Sequence, residues 1–124
     1  MDINLEKFNS ELAQFTGSLN HHRFSVLSKS ALTDGSKFVA DQLQAYWLFD
    51  AIASHIDYGM LEDHDMYCSK LRKSERGYEL EIQDGDYNEL ATQLIEYSDF
   101  PLDEIEIWTG RANGYWVHYL PTEH

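Results

Sequence analysis

Histidine and carboxylate side chains cluster in the middle of this 124-residue chain. The cluster consists of His55, Asp57, Glu62, Asp63, His64 and Asp65. Imidazole nitrogens and carboxylate oxygens bind divalent metals, and a hydrolytic metal site needs three or four of them on a rigid frame. The segment lacks a His-Glu-x-x-His motif and contains a polar run typical of a loop. We therefore expect a solvated loop without metal or cofactor, in which His55, Asp57 and His64 are weak metal-ligand candidates.

A second acidic segment has part of the spacing of a calcium site. Asp84, Asp86 and Asn88 match the one-three-five positions of an EF-hand loop. That loop requires glycine at its sixth position and a bidentate glutamate at its twelfth, where this chain has Glu89 and Ile95. The calcium interpretation fails at both positions, and a polar turn is the better interpretation.

Acid–base chemistry has one further set of candidates. His21, His22 and Arg23 form this set, with Asp34 or Asp99 as the carboxylate that would orient an imidazole. The sequence has no Gly-x-Ser-x-Gly nucleophile motif and no glycine pattern that cradles phosphate. These residues leave a small His/Asp-dependent hydrolase or metal-binding enzyme as an alternative function.

The single cysteine, Cys68, shares one side of a predicted strand with Lys70 and Arg72. Nearby cations lower the pKa of a thiol, but a lone cysteine in a strand is more often simply packed. The absence of a second cysteine for an internal disulfide agrees with a reducing, cytoplasmic compartment.

Helical spacing of apolar residues predicts two helices in the first half of the chain. The first carries one apolar stripe, with Asp2 as its expected N-cap. Thr33 is the expected N-cap of the second, which we predict over 34–57 with a break near 42–44. Its large apolar side chains, including Trp47, indicate a central core helix.

Alternation with a period of two predicts strands in the second half. The runs 67–72 and 78–83 form one predicted hairpin, in which basic residues of the first strand lie across from glutamates of the second. The runs 105–108 and 116–120 form a second predicted hairpin. Residues 88–98 fit either a helix or a strand.

This order of elements predicts one α+β domain over residues 1–124. In it, N-terminal helices pack on one face of a C-terminal antiparallel sheet of about four strands. Hydrophobic residues make up 43% and aromatic residues 14%, which excludes a disordered class. We see no run of apolar residues long enough to span a membrane, and the first residues do not resemble a signal peptide.

The charge of the chain is strongly negative. Nine Lys and Arg against 22 Asp and Glu give a formal net charge of −13. Eleven acidic residues against Arg111 fall in residues 77–124, whereas residues 67–76 carry four bases against Glu75. Such a chain repels phosphate backbones and anionic membranes, so we expect neither nucleic acid nor membrane as a partner.

The predicted binding surface lies on the solvent face of the sheet. Two strands each carry two glutamates at alternate positions, which share a face, and joining the hairpins would align them in an acidic row. Aromatic side chains on that less buried face would mark an interface. The predicted binding residues are Glu79, Glu81, Glu104, Glu106, Trp108 and Tyr115, and the expected partner is a protein with a basic surface.

Five phrases of the sequence carry a family resemblance. They are Phe15-Thr16-Gly17, Leu32-Thr33-Asp34-Gly35, Ala45-Tyr46-Trp47-Leu48 with Asp50-Ala51-Ile52-Ala53-Ser54, Tyr97-Ser98-Asp99-Phe100-Pro101-Leu102, and Leu120-Pro121-Thr122-Glu123. In this order they resemble a family of small bacterial and phage proteins known only as a domain of unknown function. The chain departs from the family at Ser98, where Thr is expected, and at His124, where Tyr is expected. The resemblance implies a phage or mobile-element setting for some members and no activity.

The function that these observations favour is a non-enzymatic protein-binding module, or an accessory or inhibitory factor of a mobile element or phage. It rests on the acidity, the small size and the missing catalytic motifs. The His/Asp-dependent hydrolase or metal-binding enzyme stays open as the alternative, and the oligomeric state is left open.

Overall fold

The computed structural model describes residues 4–14, 21–23, 30–57, 65–96, 100–112 and 115–123. In chain order the elements are α1 (Leu5–Leu12), β1 (His21–Arg23), β2 (Ser30–Thr33), α2 (Asp34–Gln42), α3 (Tyr46–Asp57), β3 (Met66–Ser74), β4 (Gly77–Asp84), β5 (Glu89–Ile95), β6 (Glu104–Ala112), β7 (Tyr115–Tyr119) and the 3-10 helix η1 (Pro121–Glu123). Asp99 and His64, two of the predicted site candidates, lie outside the described residues.

The seven strands of the described residues form one mixed sheet in the order β1-β2-β7-β6-β3-β4-β5. The pair β2–β7 is parallel, and the other five neighbouring pairs are antiparallel. Both predicted hairpins are confirmed as β3–β4 and β6–β7, and they join through β3 and β6. The ambiguous segment 88–98 contains strand β5.

The α+β class is confirmed, but the predicted sheet of about four antiparallel strands is wrong. The helices also do not form one N-terminal block, because β1 and β2 precede α2 and η1 follows β7. All four residues of β2 are buried, so this strand has no alternating pattern to reveal it. Its partner β7 lies at the far end of the chain, and such a parallel pairing leaves no local signal.

The helix ends follow local capping rules. The Thr33 side chain accepts a hydrogen bond from the Ser36 amide (3.2 Å), which confirms it as the N-cap of α2. The predicted break is also confirmed, because Gln44 has a φ of 50° between α2 and α3. The N-cap of α1 is Asn4, whose side chain accepts from the Lys7 amide, and the prediction of Asp2 is wrong.

The helices pack on one face of the sheet, which we call the inner face. The largest fully buried apolar side chains of the core are Leu32, Leu43, Leu48, Phe49, Ile52, Ile56, Tyr67, Leu71, Leu80, Ile82 and Ile107. Trp47 is only partly buried, because the buried stripe of α3 runs through Leu48 and Ile52, and its ring packs edge-on against Phe100 instead. No helix in the described part of the chain is long and apolar enough to cross a membrane.

Candidate functional site

The opposite surface of the sheet, which we call the outer face, carries the predicted binding glutamates. Strand β3 lies between β6 and β4, so its outward basic residues have an acidic neighbour on each side. Lys70 is opposite Glu106 and Glu81, and Arg72 is opposite Glu104 and Glu79. We call these six residues the charged face. The four glutamates therefore share one face, but the predicted continuous acidic row is interrupted by two cations.

The cations do not neutralise the glutamates evenly. Arg72 reaches diagonally to Glu81, with 2.6 Å between Nη2 and Oε2. The other oxygen of Glu81 accepts a hydrogen bond from Gln83 (2.9 Å). Within the described residues, the exposed carboxylates of Glu79 and Glu104 have no hydrogen bond or ion pair. Two uncompensated carboxylates therefore flank β3 at about twice the strand spacing, roughly 10 Å.

Glu106 is held in place by its neighbours along and across the strands. Its Oε1 accepts hydrogen bonds from Cys68 Sγ (2.8 Å) and from Trp108 Nε1 (2.9 Å). Burial alone would raise the pKa of the Glu106 carboxyl, but these two hydrogen bonds and the charge of Lys70 outweigh burial and leave the pKa lowered. Glu106 is therefore a fixed anion in the centre of the charged face.

Cys68 is not an activated thiol, because its surroundings raise its pKa. Burial, the hydrogen bond to Glu106 and the charge of Glu106 raise its pKa to about 12, and the opposing effect of Lys70 is smaller. The suggestion that nearby cations leave the thiol with a lowered pKa is wrong, because burial and the contacting acid Glu106 outweigh the effect of Lys70. The thiol stays protonated and donates to Glu106.

A groove of about 360 Å³ opens between β3 and β6 on the charged face. Its lining consists of Lys70, Arg72, Glu104, Ile105 and Glu106. Because both signs of charge face the groove, it can hold polar side chains of a partner and is poorly suited to an apolar ligand.

Aromatic side chains border the charged face. Trp108 packs edge-on against Tyr119 on the neighbouring strand, with 6.1 Å between ring centroids. Tyr87, which is 69% exposed, lies under the ammonium of Lys70 at 5.7 Å from the ring centroid. Tyr115 shares the outer face but lies six residues farther along the sheet than Glu106, about 20 Å away. The structure therefore joins Trp108 to the glutamates and leaves Tyr115 apart.

The predicted metal-ligand candidates do not converge in the described residues. His55 Nε2 is 2.8 Å from Gln93 Oε1, and Asp57 is the last residue of α3. His64 lies outside the described residues. The described part of the chain contains no group of three or more His, Cys, Asp or Glu residues able to hold a metal ion. Asp84 accepts from the amides of Asp86 and Asn88, as a turn residue does.

One pair of the acid–base candidates does meet. His22 Nε2 and Asp34 Oδ1 are 2.7 Å apart, and both side chains are about one-third exposed. The pair lies where β1 meets the start of α2. Asp99, the other proposed carboxylate, falls outside the described residues, as do the side chains of His21 and Arg23.

The comparison with known families confirms the expected membership of a family of unknown function. The profile of a family of unknown function, DUF6876, matches residues 6–124. The chain belongs to this family. A crystal structure of a protein of unknown function from Enterococcus faecalis is similar to this DUF6876 member, with a TM-score of 0.57 and 18% identity over 83% of this chain and 96% of that chain. At this identity the likeness shows the fold alone. No functionally curated protein matches the sequence.

Two of the family phrases, Leu32-Thr33-Asp34-Gly35 and Leu120-Pro121-Thr122-Glu123, contact each other at the start of α2. The Glu123 carboxylate accepts hydrogen bonds from the Thr33 hydroxyl (2.7 Å), the Gly35 amide (3.1 Å) and the Leu120 amide (3.0 Å). A Cβ at Gly35 would lie 2.6 Å from Glu123 Oε1 and 2.8 Å from Leu120 Cδ1, so a larger residue there would displace these side chains. In this DUF6876 member the last turn of the chain therefore caps the central helix.

Two further family phrases, those that contain Trp47 and Phe100, contact each other at the other end of the sheet. Phe100 packs edge-on against Trp47 at 6.0 Å and against Tyr78 at 5.6 Å. The Tyr78 hydroxyl donates to the carbonyls of Phe100 (2.6 Å) and Leu102 (2.9 Å). These family phrases hold the fold together and lie away from the charged face, so they do not identify its function.

The sequence did not identify Lys70, Arg72 and Tyr87 as members of the site. The alternation of β3 did place Lys70 and Arg72 across from glutamates of β4, and this pairing is confirmed. The contact of β3 with β6 was not predicted, because strand order leaves no trace in the period of a single strand.

Proposed function

We propose that this protein is a non-enzymatic binding module that docks a basic segment of another protein on its charged face. The observation that carries the proposal is the pair of exposed glutamates, Glu79 and Glu104, that have no partner in the described residues. Because Arg72 turns to Glu81, both carboxylates remain available to lysine or arginine side chains. The net charge of −13 adds a long-range attraction for a basic partner.

The surroundings of these glutamates support a protein partner in particular. The groove beside Glu104 presents both signs of charge, which suits the varied side chains of a polypeptide. Trp108 donates a hydrogen bond to Glu106 of the groove and packs against Tyr119, and aromatic residues are enriched in protein interfaces. Nucleic acid is a poor candidate, because phosphates would meet the carboxylates of the same face.

The family resemblance supports a particular version of this proposal. Because the resemblance implies a phage or mobile-element setting for some members, the binding module acts as an accessory or inhibitory factor toward a basic host or element protein. The partner then recognises a charge pattern, and this protein supplies no catalytic residue.

The test uses a double variant and a control of equal charge. Glu79→Gln with Glu104→Gln removes the two uncompensated carboxylates. Glu6→Gln with Asp50→Asn removes two exposed acids from α1 and α3. We expect affinity capture by the wild type and the control to recover the same specific protein, and the purified complex with the site variant to be about tenfold weaker. Equal capture by both double variants, or no specific partner at low salt, would contradict the proposal.

The His22–Asp34 contact favours a second candidate, the His/Asp-dependent hydrolase. A carboxylate 2.7 Å from an imidazole nitrogen is the geometry that orients a general base. A panel of chromogenic ester and phosphoester substrates tests it directly. Turnover that is lost in His22→Ala and kept in His55→Ala would support this function over the binding module.

A further inference from the structure

Strand β5 lies at an edge of the sheet and lacks the features that usually protect an edge strand from pairing with another strand. It pairs with β4 on one side, and no other strand of the described residues pairs with it. Residues 90–95 contain no charged residue and no proline, and Leu94 is 46% exposed. Protein sheets usually protect such edges with lysine, proline or covering segments, because an open edge pairs with other strands.

The backbone groups available at this edge follow from the neighbouring hairpin. Ser74 pairs with Gly77 around a two-residue turn, so the backbone groups of Gly77 bond to β3 and those of Tyr78 point to β5. Tyr78 pairs with Ile95, whose backbone therefore points back to β4. By alternation, the N–H and C=O groups of Thr92 and Leu94 point to the open edge.

A register irregularity limits the segment that can pair. The pairing of β4 with β5 shifts between Ile82 and Gln83, which leaves Leu90 as an extra residue on β5. The register is regular from Ala91 to Ile95. An added strand would therefore pair with the second half of β5, where Leu94 is exposed.

We propose that β5 of a second copy of this chain adds antiparallel to this edge, forming a two-fold dimer centred on Leu94. Antiparallel pairing about a two-fold axis matches each outward residue with an outward residue of the other copy. In this register the two exposed Leu94 side chains cover each other across about 5.5 Å between Cα atoms, and Thr92 lies opposite Glu96. Over residues 92–96 no like charges are directly opposite, so the pairing of this segment brings no two carboxylates face to face.

The dimer has two physical consequences. Its two-fold axis is perpendicular to the sheet, so both charged faces point to the same side of a continuous sheet. Because each chain carries a net charge of −13, dimerisation strengthens as salt screens the repulsion. A basic partner on the charged face would instead bind more weakly in salt, so the two interactions are distinguishable and this inference does not rest on the proposed function.

Two leucines provide a matched test. Leu94→Glu places like charges across the axis, and Leu5→Glu makes the same change at an exposed leucine of α1. In sedimentation equilibrium at rising protein concentration, we expect the wild type and Leu5→Glu to dimerise weakly, as a small interface does, and Leu94→Glu to dimerise at least about tenfold more weakly.

Amide hydrogen exchange of the wild type gives a second test, which does not depend on whether a variant folds. The amides of Thr92 and Leu94 should gain protection as protein concentration rises, whereas the amide of Gln93, which bonds to β4, stays protected at every concentration. A wild type that stays monomeric to about millimolar concentration, or a dimer whose formation leaves the exchange of Thr92 and Leu94 unchanged, would overturn the proposal.

Discussion

At the scale of single residues, His118 is the most constrained titratable group of the core. It is fully buried on the inner face, its Nδ1 lies 2.7 Å from Thr109 Oγ1, and its ring packs beside Phe49 at 6.0 Å. Burial lowers the pKa of His118 from 6.5 to about 3. The folded protein therefore keeps this imidazole neutral at pH values where the unfolded chain protonates it.

This difference makes stability fall in mildly acidic solution. Between the unfolded pKa near 6.5 and the folded pKa near 3, the unfolded state binds one more proton, so lowering the pH favours unfolding. From pH 6.5 to pH 5 we expect the wild type to lose about 2 kcal/mol more unfolding free energy than His118→Gln in urea titrations. Parallel pH curves for the two proteins, or an NMR titration of His118 near pH 6.5, would contradict this.

Cys68 gives a second prediction at this scale. Because Glu106 contributes to the raised thiol pKa, Glu106→Gln should increase the rate of Cys68 alkylation by iodoacetamide at pH 8. Glu104→Gln, on the same strand but without contact to the thiol, should leave the rate unchanged. Equal rates in wild type and Glu106→Gln would mean that burial alone protects the thiol.

At the scale of elements, the C-terminal turn and α2 act as one unit. Two of the hydrogen bonds to Glu123 satisfy donors at the start of α2, and the third holds the Leu120 amide in the C-terminal turn, so Glu123→Ala should destabilise the fold by about 2 kcal/mol in chemical denaturation. Gly35→Ala should also destabilise, because its methyl group would meet the same carboxylate.

A double-mutant cycle separates the cap from the clash. In the presence of Glu123→Ala, Gly35→Ala should cost less than it costs alone, since part of the obstruction is gone. Additive free energies in the cycle would show that the two positions do not contact each other in solution.

The elements also show what local sequence reveals. The hairpins were predicted because their side chains alternate, and the helix break because the apolar pattern weakens near Gln44. Strand β2 was missed because Ser30–Thr33 is buried throughout, and its pairing with β7 brings together residues that are far apart in sequence. Periodicity predicts which face a residue occupies and leaves the neighbouring strand undetermined.

The same limit explains which features of the candidate site could be predicted from the sequence. The sequence predicted correctly that the glutamates at alternate positions share a face with Trp108. It predicted an acidic row from the joining of the two hairpins, without the strands through which they join, whereas β3 lies between β4 and β6 and contributes Lys70 and Arg72. Which carboxylates remain uncompensated depends on the diagonal reach of Arg72 to Glu81, and only side-chain geometry reveals that contact.

At the scale of the whole molecule, the sheet separates two environments. The inner face packs on the helices around an apolar core, and the outer face carries the charged residues. Most of the net charge of −13 comes from residues 77–124, which include β4, β6 and their glutamates. The binding proposal places the basic partner on this outer face.

The measurement that tests the central claim most directly is an NMR titration of the 15N-labelled protein with the captured basic partner. The binding account predicts amide shifts centred on Lys70, Glu79 and Glu104, which shrink as salt rises and are lost in Glu79→Gln/Glu104→Gln. The control variant Glu6→Gln/Asp50→Asn should show the wild-type shifts. Shifts centred on α2 and α3, or shifts that persist in the site variant, would contradict the claim that the charged face is the binding surface.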